Sequence, residues 1–283
     1  VKIALLHPGA MGATLGGALV AAGHEVLWLS EGRSAATARR AADAGLVAVE
    51  TLPQLVATSD AIISVCPPHA AADVASAAAG AGFRGPFLDA NAVAPATARA
   101  LAEVVGPGFI DGGIVGPPAV RAGTTRLYVS GGGADQVRRW FGDGVLAVHV
   151  VPGDAGAASA LKMCYAAYTK GTSALLLAIR ALAEAEGVGD SLLDEWRISQ
   201  PELPGRSEAA ARGTAAKAWR FVGEMEEIAA SFEARGLPGG FHQAAAQIYE
   251  RMQPLKDASD VDLDRVLEAL GAASGTASGP EPG

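Results

Sequence analysis

Cysteine is nearly absent: Cys66 and Cys164 are the only two among 283 residues. Two thiols far apart in sequence make no disulfide framework and suit a reducing compartment. Histidine is scarce too, and His7, His24, His69, His149 and His242 show no ligand spacing among themselves or with cysteine, so no metal is expected. Basic residues are outnumbered, 22 Lys and Arg against 30 Asp and Glu, giving a net charge of −8. With no dense basic patch, nucleic acid is not expected as a partner. Long apolar runs are also lacking. The most apolar stretch, residues 174–183, is interrupted by Arg180 and falls short of the roughly 20 residues a membrane span needs. The opening VKIALLHPG is too short and too soon broken to be a signal-peptide core, so the expected location is cytoplasmic, with no membrane partner.

What is present is apolar and compact. Half of the residues are apolar and 18% charged, and the chain is long enough for one large or two medium domains. An apolar run, Lys2 to His7, leads into Pro8-Gly9-Ala10-Met11-Gly12, an Ala/Gly/Leu-rich helix to about Ala22, and a second apolar run from Glu25 to Leu29. Further runs at residues 46–49, 61–65 and 86–88 alternate with Ala-rich helical segments, which predicts a parallel sheet covered on both faces. Strand, glycine turn, helix, strand is the opening unit of a dinucleotide-binding fold.

The fingerprint G-x-G-x-x-G is here His7-x-Gly9-x-x-Gly12. Its second and third glycines, for backbone approach to the pyrophosphate and for close helix packing, are present, and Pro8 is expected to stiffen the turn in place of the first. Gly9, Ala10, Met11 and Gly12 are therefore assigned to the cofactor. At the end of the second strand Ser30 stands where an acid would select NAD, with Arg33 and Ser34 able to donate to a 2′-phosphate, so NADP (NADPH) is the expected cofactor; Glu31 is the discordant residue. The loops Cys66-Pro67-Pro68 and Asp89-Ala90-Asn91 follow later strands and should border the cofactor. Asn91 reads equally as a helix cap or as an active-site residue.

A glycine-rich segment from Asp111 to Gly132 precedes a last helix and strand, and Pro152-Gly153-Asp154 forms the junction, with Gly153 or Asp154 as the cap of the next helix. This helix is long, covering residues 157–186, free of Pro and with a single glycine, Gly171. Lys162 sits among its apolar residues, sharing a face with Tyr165, Ala166 and Thr169. Further helices are expected at residues 191–198, 207–235, 241–253 and 261–270, with breaks at 200–205 and 236–240. The fold class expected is α/β: a Rossmann-type parallel-sheet domain over residues 1–152, then an all-α substrate and dimerisation domain over 153–270, then a flexible tail over 271–283. A helix of this length followed only by helices points to a homodimer.

Three blocks stand in order: the Gly9-to-Gly12 turn, the Asp111-to-Gly132 segment, and Gly156-Ala157-Ala158-Ser159-Ala160-Leu161-Lys162. The set resembles the β-hydroxyacid dehydrogenase superfamily, which includes 6-phosphogluconate dehydrogenase and the imine reductases. The resemblance implies a homodimeric NAD(P)-dependent oxidoreductase acting on a small-molecule carbonyl/hydroxy pair. In it Lys162 is the catalytic acid/base, Asn91 lies near the nicotinamide, and Gly112, Gly113, Ile114, Val115 and Gly116 lie along the substrate. Tyr165 would orient substrate or share the proton path, with Thr169 on the same face. The sequence departs from the family pattern at Ala166, where an asparagine is usual, and at residues 224–227, an acidic segment where a later lysine is usual. Reduction of a C=N bond, and a cofactor-binding regulatory protein without turnover, are the alternatives.

Overall fold

The structure is a computed structural model and describes residues 1–271, so the tail expected over 271–283 lies outside the described residues except for Gly271. The chain divides into two compact units, Val1–Tyr165 and the part from Ala166 onward.

The first unit alternates strand and helix. Its elements are β1 (Lys2–Leu6), α1 (Ala10–Ala21), β2 (Glu25–Leu29), α2 (Ala35–Asp43), β3 (Val47–Val49), α3 (Leu52–Thr58), β4 (Ala61–Ser64), α4 (Ala71–Gly80), β5 (Phe87–Asp89), α5 (Pro95–Val105), β6 (Phe109–Val115), β7 (Thr125–Ser130), α6 (Ala134–Phe141) and β8 (Leu146–Val150). The eight strands form one sheet in the order β3-β2-β1-β4-β5-β6-β7-β8. Every neighbouring pair is parallel except β6 and β7. The sheet is thus mostly parallel, in keeping with the Rossmann-type sheet expected; β6 and β7 run antiparallel because only the loop 116–124 joins them and a parallel return needs a longer crossover. Gly116 makes the reversal at φ +119°, and a Cβ there would lie 2.3 Å from the Thr124 carbonyl oxygen.

Both faces of the sheet are covered, which is why β1 reads as an unbroken apolar run. Ile3 and Leu5 pack with Leu15 and Leu19 of α1 and Val137 and Trp140 of α6. The alternate residues Ala4 and Leu6 join Leu55 of α3, Ala75 of α4 and Leu101 of α5 on the other face.

The next helix, α7 (Ala157–Ala185), has 29 residues and spans about 43 Å at 1.5 Å per residue. Its start is fixed from the sheet. Asp111 of β6 is wholly buried, and its Oδ2 accepts from the backbone N–H groups of Gly156 (2.9 Å) and Ser159 (3.0 Å) while Oδ1 accepts from the Ser159 hydroxyl (2.5 Å). Ser130 Oγ lies 3.1 Å from Asp111 Oδ2 and 3.0 Å from the Asp154 carbonyl, and accepts from the Ala158 N–H at 3.0 Å. N–H groups that a helix start leaves without partners are thereby satisfied, and a carboxylate sits at the positive end of the helix dipole. The cap expected of Gly153 or Asp154 is thus supplied by the Asp111 side chain of β6 instead.

From Ala166 onward the described residues are helical: the rest of α7, then α8 (Gly189–Ser199), α9 (Leu203–Thr214), α10 (Ala218–Glu233), α11 (Gly240–Arg251) and α12 (Leu263–Ala269). The single helix expected over 207–235 is two helices separated by a 3-10 turn at Ala215–Lys217. Gly213 weakens the helix there, and Thr214 Oγ1 donates back to the Ala210 carbonyl at 2.7 Å, a bond that bends helices. α9 also starts earlier than expected, because Pro204 fits the first turn, where its missing N–H costs nothing. Phe221 of α10 meets Tyr249 of α11 edge-on at 5.2 Å, and Phe232 meets His242 at 4.5 Å. The lone glycine of α7 has a packing reason: a Cβ on Gly171 would lie 3.2 Å from the Phe241 ring.

Candidate active site

The strand order reverses between β1 and β4, and ligands of such sheets sit outside the carboxyl ends of the strands at that point. The turn leaving β1 is made by His7. It takes the left-handed conformation, φ +70°, that a glycine would adopt without steric cost, and its carbonyl accepts from the Gly9 N–H at 2.7 Å. The turn geometry expected of Pro8 is therefore carried by the residue before it. Gly9 faces open space, with nothing within 4 Å of an added Cβ, whereas a Cβ on Gly12 would lie 2.5 Å from the His7 carbonyl oxygen. One glycine leaves room for a ligand, and the other lets α1 start against the turn. Ala10 and Met11 open that helix, which has no side-chain cap and no acid in its first turn.

Beside the turn, Arg33 has a buried Nε without a partner, and so does His7 at Nδ1. Burial first, and then the Arg33 guanidinium, lower the His7 imidazole to about 4, so the ring is neutral at pH 7. Arg40 of α2 reaches the Pro8 carbonyl at 3.4 Å. Ser30 and Ser34 are otherwise engaged: Ser30 Oγ donates to the Val49 carbonyl, and Ser34 Oγ caps α2 by accepting from the Thr37 N–H. Of the three residues expected at a 2′-phosphate, Arg33 is the one that presents an unpartnered donor. That orphaned donor, close to the His7 turn that leads into the open Gly9, fits a dinucleotide phosphate.

At the ends of β4 and β5, Asn91 is buried. Its Oδ1 accepts from the Cys66 N–H at 2.5 Å, and its Nδ2 donates to Ser64 Oγ at 3.1 Å and to Asp89 Oδ1 at 2.5 Å. It is not the helix cap, since Ala94 holds that position. Nor does it offer an amide proton to a substrate as a direct catalytic residue would, because both are used in tying the two loops together. Burial pushes the Cys66 thiol up to about 11, so it stays protonated. Pro67 is exposed and Pro68 opens a short 3-10 turn, Pro68–Ala70. Asp89 is wholly buried with Oδ2 unpartnered, and burial pushes its carboxyl up to about 7, aided by Asp111 in register on β6.

One turn beyond Ser159, Lys162 lies over β6. A Cβ on Gly113 would stand 2.8 Å from Lys162 Cβ and 3.1 Å from the Ala158 carbonyl oxygen, so this glycine is what admits α7 to the strand. Asp111 and Gly113, two apart on β6, share one face. The segment expected along the substrate is otherwise divided between the two faces. Gly112 turns toward β5, where a Cβ would meet the Asp89 carbonyl oxygen at 2.9 Å; Ile114 joins the core on the α1 side, Val115 is buried, and Gly116 serves the reversal. Lys162 is half-buried and Tyr165, three residues on, is exposed, while Thr169 falls in the second unit. Among the described residues no group of three His, Cys, Asp or Glu gathers as metal ligands, and no helix is long and apolar enough to cross a membrane.

The anchor formed by Asp111, Ser130 and Ser159 is not expected from the glycine-rich reading of the 111–132 segment. The signal was an acid inside FIDGGIV, a strand buried at every position. Acids are almost never fully buried unless paired or hydrogen-bonded, so such a residue implies a dedicated set of donors.

Comparison with known proteins respects the same division of the chain. Residues 2–87 match a family model described as NADP oxidoreductase, coenzyme F420-dependent, and residues 183–252 match a domain of unknown function, DUF1932. A solved structure of a conserved protein of unknown function, reported as similar to 3-hydroxyacid dehydrogenases, is 25% identical with a TM-score of 0.68, covering 90% of this chain and 98% of that one. The 3-hydroxyisobutyrate dehydrogenase of Mycobacterium tuberculosis aligns with a TM-score of 0.69 at 22% identity, over 95% of this chain and 98% of that one. The fold is that of the β-hydroxyacid dehydrogenases. A reductive aminase from Aspergillus terreus, solved with NADPH and ethyl levulinate, shares this β-hydroxyacid dehydrogenase architecture at a TM-score of 0.56 and 20% identity, over 94% and 98% of the two chains. An uncharacterized 28.5 kDa protein of Methanothermus fervidus is 31% identical over 171 residues, 60% of this chain and 66% of that protein. The β-hydroxyacid dehydrogenase fold is one of nicotinamide-dinucleotide-dependent oxidoreductases, which accords with the open Gly9 turn.

His7 and Asp89 give stability opposite pH dependences. The folded value of His7 is lowered below 6.5, so its contribution is present above pH 6.5 and lost as pH falls toward 4. The folded value of Asp89 is raised from 3.8, so its contribution is present below pH 3.8 and lost as pH rises toward 7. Urea midpoints of wild type minus His7→Gly should therefore fall on acidification through this window, and those of wild type minus Asp89→Asn should rise. Flat difference curves would contradict both assignments.

Proposed function

We propose that the chain is an NADP(H)-dependent oxidoreductase that moves hydride between the nicotinamide and a small carbonyl or hydroxy compound, with Lys162 as general acid/base. The observation that carries this reading is the seat of Lys162: its stem lies on Gly113 of β6, one turn from the Asp111 anchor, in the unit that holds the glycine turn. The dinucleotide, when bound, supplies or accepts the hydride. The protein's part is to give a proton from Lys162 Nζ to the carbonyl oxygen during reduction, or to take it from the hydroxyl during oxidation. Gly9, Gly12 and the start of α1 would hold the pyrophosphate, and Arg33 a 2′-phosphate.

The chain also presents a surface suited to a homodimer. Tyr168, Leu175 and Leu182 of α7 are exposed at heptad spacing, with Thr172 and Ile179 between them in the a/d pattern of a helix–helix seam.

Three outcomes test the proposal. In a panel of small carbonyl compounds and imines, Lys162→Met should lower kcat by about 10²–10⁴-fold while NADPH affinity barely changes; a near-normal rate on carbonyls returns Lys162 to a structural role, and turnover of imines alone favours C=N chemistry. Arg33→Ala should weaken NADPH binding by at least about tenfold more than NADH binding, as expected for a lost charge-assisted phosphate contact; equal losses refute the NADP assignment. Light scattering should give about twice the 28.4 kDa chain mass, and Leu175→Asp should reduce it to one chain; a monomeric wild type contradicts the dimer.

A further inference from the structure

The turn after β1 holds a side chain where the backbone favours none. A left-handed residue other than glycine is sterically costly, and this one places an imidazole beside Arg33. We propose that His7 is a proton-linked phosphate contact: a cofactor phosphate held by Arg33 draws a proton from solvent onto the His7 ring, so that cofactor binding is accompanied by proton uptake. The inference rests on the reading of this crevice as a dinucleotide site.

Two orphaned nitrogens carry it. His7 Nδ1 and Arg33 Nε are both buried without a partner, and they come from the ends of neighbouring parallel strands, β1 and β2, paired Leu5 to Trp28. A buried polar atom left unsatisfied costs free energy, and here two such nitrogens belong to side chains close enough for the Arg33 charge to act on the His7 ring, so one anion could serve both. The charged and titratable neighbours agree. Arg33 follows β2, Arg40 of α2 is bonded to the Pro8 carbonyl, and the Cys66 thiol after β4 is neutral and also feels Arg33. Asp89, behind Cys66, is largely protonated near pH 6. Glu31, the acid in the Arg33 loop, is exposed. The field at the ring is therefore positive, which together with burial keeps it neutral when no anion is bound. A phosphate reverses that field, and an opposite charge within about 4–6 Å raises such a group by about 1–3 pH units.

The test is calorimetric titration at about pH 6, within the window the shift opens, with NADP+ and with NAD+, each in buffers of different ionisation enthalpy. Wild type is compared with His7→Asn and His7→Gly, both of which accept the left-handed turn. Wild type should take up about 0.1 to 0.9 proton more per cofactor than either variant, the range for a rise of about 1–3 pH units from about 4. Its affinity should strengthen as pH falls, by up to about tenfold per unit, the limit for one linked proton, whereas the variants should lack this component. A 2′-phosphate shedding its own proton on Arg33 gives the opposite sign and is common to wild type and variants. A His7-dependent uptake with NADP+ alone assigns the contact to the 2′-phosphate, and with both cofactors to the pyrophosphate. Cofactor binding with no His7-dependent uptake overturns the inference and leaves the proposed function standing. Absence of binding by either cofactor overturns the proposed function and the inference with it.

Discussion

A single buried carboxylate sets the geometry of the first unit's chemistry. Asp111 lies in the middle of a strand with no solvent on either face, where an uncompensated charge would be prohibitive. Its compensation comes from two backbone N–H groups at the start of α7, the Ser159 hydroxyl and the nearby Ser130 hydroxyl. Hydrogen bonds to an ionised acceptor contribute about 1.5–3 kcal/mol each, about twice a neutral one. The helix start can therefore neither slide nor rotate on the sheet without leaving a charge exposed to apolar surroundings. The register of α7 on β6 is set in this way, and Lys162, one turn on, inherits it. Gly113 then has to be glycine, since any side chain would force the helix off the strand.

The same constraint reaches the neighbouring strand. Asp89 and Asp111 are in register on β5 and β6. Donors surround Asp111, whereas Asp89 has one partner oxygen tied to Asn91 and the other unpaired. Burial, aided by the neighbouring Asp111, raises the Asp89 carboxyl to about 7, so Asp89 holds a proton over the acid side of neutrality. The protonated partner supports Asn91, and Asn91 fixes the Cys66 loop against β5. The loops at the carboxyl edge are thus held by a chain of polar contacts that begins at the helix anchor. The glycine turn needs no such support: it is shaped by the backbone of His7 and the tight fit of Gly12 beneath it.

Much of the architecture is legible in the sequence. Alternating apolar runs and Ala-rich segments mark the strand and helix order, because strands buried on both faces have few alternatives to Val, Ile, Leu and Ala. The antiparallel β6–β7 pair escapes a reading of the loop 116–124 for its glycines, since the signal lies in the loop's length. The split of residues 207–235 escapes because Thr214 bends the chain through a hydrogen bond that propensity does not register. Of the proposed site, the Gly9–Gly12 turn stands out by its place between the first strand and helix, and Lys162 by the three ordered blocks that carry the family resemblance. Asn91, Ser30 and Ser34 are plausible by position, yet their hydrogen bonds go to neighbouring loops and a helix cap, which only three-dimensional proximity reveals. The opposite holds for Asp111: its isolation among apolar residues is visible, and only its partners are not.

Residue-resolved native-state hydrogen exchange at the start of α7 tests this most directly. If the Asp111 carboxylate fixes the helix, the amides of Gly156 and Ser159 will exchange only with global unfolding, as slowly as those of Leu127 and Val129 in the sheet interior. Exchange of Gly156 and Ser159 at the rate of an exposed turn amide such as Gly123 would contradict it, and the register that seats Lys162 over Gly113 would lose its physical basis.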